Sequence, residues 1–305
     1  MSVIAGVDIG GTKTKIGIMA DKFVSTVIDT PKDAQKLIDV IAKTLHDLAG
    51  EIDAVGVGVP GAVDSVGRVS YMPNLGFRNF DIATTLSQKV GARVFVINDA
   101  NAAALAECQS GGFTDAVMLT LGTGVGGGVI LGGKVFDGKF GKAAELGHII
   151  IDVDGKVCGC GNRGCLEAYA SASALIRRAK EEMTNNNHSA LWKLCGGIDN
   201  VDGAAVFAAA KQGDVSAKSV LSEYIRYLSI GVVNVCNIFR PQAVIIGGGI
   251  SNQGEDLLAP LRAECERLNY GYVGAHKPAL LAAKLGALSG MYGAIAFAKS
   301  KLSEA

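Results

Sequence analysis

The residues best equipped for chemistry lie between Glu145 and Glu167. His148, Cys158, Cys160 and Cys165 put one imidazole and three thiols within eighteen residues. That is a Cys3His set, suited to a closed tetrahedral zinc site. The C-x-C-x4-C part departs from the usual C-x2-C, so spacing alone does not decide. Gly159, Gly161 and Gly164 let the backbone turn tightly enough to converge sulfurs on one ion. The other reading is a cluster of free thiols packed as small hydrophobes, although the segment has few apolar residues for a core. Glu145 and Glu167 bracket the set. Each is either a solvated surface acid or, on a backbone fixed by metal, a polar contact for a ligand rich in hydroxyls.

A second group of candidates sits at strand ends. Val3 to Asp8 reads as a buried strand, Gly10-Gly11-Thr12-Lys13 as a tight turn, and Thr14 to Met19 as a second strand. This is no Walker A loop, which would need G-x4-G-K-[ST] leading into a helix. Such a hairpin can donate backbone N–H groups to phosphate oxygens, with Asp8 beside it to hold Mg2+ directly or through water. An ordinary hairpin is the alternative. The pattern recurs: strand Ala116–Thr120, a glycine turn from Leu121 to Gly128 that includes Thr123 and Gly124, then strand Val129–Leu131. Two such units predict a duplicated α/β domain with a phosphate-binding hairpin in each copy. A Rossmann reading fails, because these glycine turns lead into strands rather than helices. Asn98-Asp99 closes strand Arg93–Ile97 just before a helix at Ala100–Glu107. That is where α/β folds place ligand chemistry, and also where Asn and Asp cap helices.

The run CGCGNRGCLEAYAS, preceded by AAELGH, resembles the signature of the ROK family of repressors, open reading frames and sugar kinases. The resemblance covers essentially the whole chain. It implies structural Zn2+ on His148, Cys158, Cys160 and Cys165. It implies sugar contacts from Gly61, Asn74, Asn98, Glu145, His148 and Glu167, with Asp99 also at the sugar as general base. The wider likeness is to the actin-like ATPase and sugar kinase superfamily: two ribonuclease H-like α/β domains with ATP in the cleft between them. ATP and Mg2+ would then meet Asp8, Gly10, Gly11, Thr12, Lys13, Thr123 and Gly124, while Gly247 and Gly248, after strand Ala243–Ile246, would pass under the adenosine. Two positions depart from the pattern: Ala144 stands where the family usually has Gly, and Phe77 where it often has Trp.

The activity so implied is ATP-dependent phosphorylation of a hexose at its 6-hydroxyl, glucose foremost. Kinases of N-acetylmannosamine, N-acetylglucosamine, allose, fructose and β-glucosides are the alternatives. A sugar-sensing repressor is disfavoured, because its helix-turn-helix would precede a first strand that starts at residue 3. A non-catalytic sugar binder is disfavoured by Asp99 and both hairpins. The family likeness also suggests a homodimer or a dimer of dimers.

Totals bound the rest. A chain of 305 residues suffices for two domains, expected at 1–110, joined by a helix at 290–305, and at 111–289. Acids and bases balance at 29 each, so neither a nucleic-acid nor a membrane surface is expected. Seven cysteines, three of them in the zinc motif, argue against a disulfide framework and for the cytoplasm. MSVIAGVDIGG lacks the basic start of a signal peptide. Helices are expected at Asp33–Ala49, Ala168–Met183, Ala204–Lys211 and Val215–Phe239, the last broken or bent near Gly231. Tyr71–Phe77 reads as a loop. Leu285–Ala298 reads as a helix too short to span a bilayer, with Gly286, Gly290 and Gly293 on one face.

Overall fold

The computed structural model describes residues 2–64, 66–72, 75–139, 141, 143–268 and 277–304. In chain order the strands are β1 (Ile4–Ile9), β2 (Lys13–Met19), β3 (Phe23–Asp29), β4 (Ala54–Val59), β5 (Ala62–Val63), β6 (Val69–Met72), β7 (Phe77–Phe80), β8 (Arg93–Asn98), β9 (Ala116–Leu121), β10 (Val125–Leu131), β11 (Lys134–Val135), β12 (Ala243–Gly247) and β13 (Ala279–Ala282). The helices are α1 (Ala34–Leu48), α2 (Ile82–Val90), α3 (Asp99–Ser110), α4 (Glu167–Ala170), α5 (Ala172–Asn185), α6 (Ala190–Cys195), α7 (Gly203–Lys211), α8 (Val215–Phe239), α9 (Glu255–Leu268) and α10 (Ser289–Ser303).

Two five-stranded sheets share one plan, β3-β2-β1-β4-β8 and β11-β10-β9-β12-β13. In the first, β1 runs antiparallel to β2 and parallel to β4, which is parallel to β8. In the second, β9 runs parallel to β12, and β12 to β13. The duplication expected from the two glycine hairpins is therefore present in the strand order. A small antiparallel sheet, β5-β6-β7, is added after β4.

The chain divides into two compact units: residues 1–115, 128–144 and 284–305 in one, 116–127 and 145–283 in the other. In the first unit, alternation along β1 sends Ala5, Val7 and Ile9 to a core shared with α1. Helix α1 is capped by Asp33, which accepts from Lys36 N, and buries Leu37, Ile38, Ile41 and Leu45 at helical spacing. Ile4 and Ala54 face the other way, onto Ile295 and Ala298 of α10. Glycines permit that close seating: a Cβ on Gly6 or Gly56 would strike the α10 backbone at Met291 or Ala294.

Four expectations are corrected. Helix α8 runs unbroken through Gly231, where the side chain of Leu166 fills the space a Cβ would need. The helix expected over Ala168–Met183 is two, divided at Ser171, whose hydroxyl accepts from Ala174 N to start α5. The stretch from Tyr71 to Phe77 joins two paired strands, β6 and β7, rather than being loop throughout. Gly286 precedes α10 in a short 3-10 turn, so only Gly290 and Gly293 lie on that helix.

Candidate active site

In the first unit the candidates gather at the carboxyl edge of parallel strands β1, β4 and β8, the usual ligand edge of such sheets. Register puts Asp8 beside Gly58, and Val59 beside Asn98. The competing roles of Asn98-Asp99 separate here. Asn98 is the cap of α3, its Oδ1 accepting from Ala100 N at 3.0 Å and Asn101 N at 3.2 Å. Its Nδ2 donates to Gly61 O at 3.1 Å, tying the end of β8 to the turn after β4. Asp99 is therefore not needed as a cap. One of its oxygens, Oδ1, accepts from Ala100 N and from Asn98 Nδ2. Burial pushes the Asp99 carboxyl up to about 6, and the nearby Asp8 carboxylate adds to the rise. A carboxylate with that poise suits a general base near neutral pH.

Asp8 itself is partly buried and paired with Lys15, whose Nζ donates to Oδ2 at 3.0 Å. Lys15 is its cross-strand neighbour in the β1–β2 hairpin. On the other side lies Gly290 of α10, where a Cβ would sit 2.7 Å from the Asp8 Cγ. The intervening turn is closed by Gly10 N donating to Lys13 O at 3.0 Å. Thr12 and Lys13 are exposed at its tip, and Lys13 reaches Asp29 instead of Asp8. That pair is solvent-exposed on both sides, so it holds Lys13 only weakly.

The second unit repeats the arrangement at the ends of β9 and β12. Gly247 aligns with Thr120, so the turns after both strands are adjacent. Gly248 lies against the backbone of Leu121, which a Cβ would strike. Gly122 and Gly249 differ: among the described residues, chain neighbours aside, no atom lies within 4 Å of where their Cβ would be, so the space beside each backbone is open. Thr123 stands exposed between Gly122 and Gly124.

His148, Cys158, Cys160 and Cys165 converge, their ligand atoms all within 4.8 Å of one another. Cys160 Sγ lies 3.7 Å from Cys165 Sγ, and Cys158 Sγ lies 3.8 Å from His148 Nδ1. A tetrahedral ion with Zn–S bonds of about 2.3 Å would set sulfurs roughly 3.8 Å apart. The donor set therefore fits zinc in both type and spacing. Glycine makes the fold of this segment possible: Gly161 and Gly164 have φ of +95° and +73°. Cys158 N donates to Asn162 O, and Gly164 N to Lys156 O, closing the knot. Burial pushes the Cys158 thiol up to about 12 and raises Cys165, while the Asn162 backbone lowers Cys160. A cation at the centre would reverse the first two, since thiolates are its ligands.

Glu167 borders this knot, accepting from Cys158 Sγ at 3.4 Å through Oε1 and from Val125 N at 3.0 Å through Oε2. Glu145 is exposed just before His148, and its carbonyl accepts from His148 N. Ala144 has φ of +67°. The reason glycine suits that position is therefore backbone conformation rather than size. Asn74 lies outside the described residues. The sequence reading missed Lys15 and Gly290. Two-residue alternation from Asp8 through the hairpin could have found Lys15; only the packing of α10 reveals Gly290.

Comparison with known proteins extends these observations over the whole chain. The model of the ROK family matches residues 4–301. A glucokinase from Streptomyces coelicolor is 38% identical over 313 residues, covering 98% of each chain. A glucokinase from Thermotoga maritima is 36% identical over 314 residues, again 98% of each. The crystal structure of a ROK family glucokinase from Streptomyces griseus, in complex with glucose and AMPPNP, superposes with a TM-score of 0.80 at 38% identity, covering 98% of this chain and 100% of that one. The α/β, actin-like plan expected from the sequence is thus the one the chain adopts.

Proposed function

We propose that this protein, which belongs to the ROK family, transfers the γ-phosphoryl group of ATP to the 6-hydroxyl of a hexose, with glucose as the preferred acceptor. Supporting it are the curated glucokinases at 36–38% identity over nearly the full length, and a solved relative that binds glucose and an ATP analogue. Within the chain, the observation that carries the reading is Asp99. It lies at the carboxyl end of a parallel strand, relieved of capping by Asn98, with its carboxyl pushed up to about 6 by burial.

Asp99 takes the proton from the 6-hydroxyl as that oxygen attacks phosphorus. At neutral pH most of it is already ionised. Asn98, Gly61, Asn74, Glu145, His148 and Glu167 orient the sugar. If His148 binds zinc through Nδ1, its Nε2 is left for a hydroxyl. Phosphoryl transfer has a loose transition state, so the protein chiefly positions reactants and stabilises charge. Backbone N–H groups of Gly11, Thr12 and Lys13, with Thr123 and Gly124, cradle phosphate oxygens, while Gly10 shapes the turn through its bond to Lys13 O; Gly247 and Gly248 lie under the adenosine.

Asp8 fits Mg2+, since a carboxylate with one oxygen on Lys15 retains the other for a hard cation that also takes phosphate ligands. Mg2+ supplies neutralisation of phosphate charge. Zinc on His148, Cys158, Cys160 and Cys165 is structural, because four protein ligands leave no position open. The assembly proposed is a homodimer or a dimer of dimers, in the cytoplasm. No helix among the described residues is long and apolar enough to cross a membrane.

An ADP-release assay across glucose, mannose, fructose, allose, N-acetylmannosamine, N-acetylglucosamine and β-glucosides tests the acceptor. The expected outcome is the highest kcat/KM for glucose. Turnover with an N-acetylated sugar above glucose would replace that assignment, and no turnover with any would refute the kinase reading.

A further inference from the structure

We infer that Glu167 is a positioning residue for the nucleotide turn Gly122–Val125, so that the Cys3His knot organises the phosphate site as well as the sugar site. The inference rests on the reading of that turn as phosphate-binding.

Three contacts within one compact unit carry it. Glu167 Oε2 accepts from Val125 N at 3.0 Å across forty-two residues of sequence. Gly124 makes this possible, because a Cβ there would run into that same carboxylate. Gly147, between Glu145 and His148, packs on the Val125 carbonyl with no room for a Cβ. After α4, Ala172 N donates to Gly122 O at 2.8 Å. The turn is therefore held at Gly122, Gly124 and Val125, each time by a residue within seven positions of a Cys3His ligand.

The two carboxylate oxygens divide the work. Oε2 engages the turn, and Oε1 faces Cys158 Sγ. The same side chain thereby spans the turn and the Cys3His knot. A carboxylate accepting a backbone N–H is a charge-assisted bond, stronger than its neutral counterpart.

The test measures nucleotide binding with no sugar present, a readout that a sugar contact alone would not move. Calorimetry of AMPPNP and Mg2+ on zinc-loaded wild type, Glu167→Ala and Glu167→Gln is paired with hydrogen exchange of the peptide spanning 121–127. We expect Glu167→Ala to raise the AMPPNP Kd about tenfold and to speed exchange at the turn. Glu167→Gln, which keeps an acceptor oxygen, should recover most of the affinity. Unchanged AMPPNP affinity and exchange in Glu167→Ala, with weakened glucose binding, would overturn the inference and leave Glu167 a sugar contact only. Should Glu167→Ala lose zinc or fail to fold, Glu167→Asp, which keeps the charge and draws the carboxylate back from Val125 N, decides: weakened AMPPNP binding with faster exchange at the turn sustains the inference, and wild-type binding and exchange overturn it. Failure of the wild type itself to bind AMPPNP would instead strike the kinase reading.

Discussion

Replacing Gly290 by alanine separates damage to the cation site from damage to the fold. The new Cβ would lie 2.7 Å from Asp8 Cγ and 2.9 Å from each carboxylate oxygen. Ordinary contact begins at 3.4 Å, so the carboxylate must retreat by roughly half an ångström or more. Asp8 has little freedom to do so. Its backbone is fixed by pairing with Lys15 and Gly58, and Lys15 Nζ holds Oδ2. Rotating it off its preferred torsion costs about 0.5–1.5 kcal/mol. Against this, alanine gains up to about 1 kcal/mol over glycine in a helix. The two nearly offset, and Tm should move by less than about 3 °C. Positioning is less forgiving: a misplacement of about 1 Å can lower rate a hundredfold, so kcat/KM for Mg-ATP should fall about tenfold. Mn2+ affinity, read by electron paramagnetic resonance, should weaken in parallel, while glucose affinity holds. Gly293→Ala provides the contrast, since its Cβ would strike the backbone of Ala102, which cannot rotate away, and Tm should drop. A folded Gly290→Ala protein with wild-type Mn2+ affinity and Mg-ATP kinetics would refute the placing of a cation at Asp8.

Further outcomes follow from the knot, the base and the strained backbone. Cys160→Ser should bind less than one zinc per chain and unfold at lower temperature, checked by metal analysis and calorimetry; full zinc retention would contradict the Cys3His ligation. Because burial raises Asp99 to about 6, its protonated form accumulates below that pH. The kcat/KM profile should therefore fall about tenfold per unit below pH 6 and level off above it, and a profile flat down to pH 5 would contradict the base. Ala144→Gly relieves a positive φ and should stabilise by up to about 1 kcal/mol, net of glycine's greater freedom in the unfolded chain; a fall in Tm would contradict it.

The sequence made some of this visible and hid the rest for physical reasons. Strand–turn–strand units are local, so β1, β2 and the turn at Gly10 could be read directly, and so could their copy at Leu121. The Cys3His set was legible because its ligands fall within one short segment. Long-range contacts were not. Glu167 meets Val125 and Asp8 meets Gly290 only once distant elements pack. The choice of cap between Asn98 and Asp99 depends on where α3 begins, a matter of one residue. Strand β3 and helices α2, α6 and α9 escaped because short or mixed patterns carry weak periodicity. Of the break or bend expected near Gly231, the break is absent, because a glycine inside a helix also serves to admit a neighbour, here Leu166.

The central claim is that Asp99 is the base of a hexose kinase. Asp99→Asn tests it most directly, keeping size and an acceptor for Ala100 N while removing proton acceptance. General base catalysis contributes about 10^2–10^4 in rate, and Asp99 also orients the hydroxyl, so kcat should collapse toward the upper end of that range. Calorimetric glucose affinity should change only a few-fold, because Asn98, Glu145, His148 and Glu167 remain. A variant with near wild-type kcat would remove Asp99 from the chemistry and leave the proposed transfer without its base.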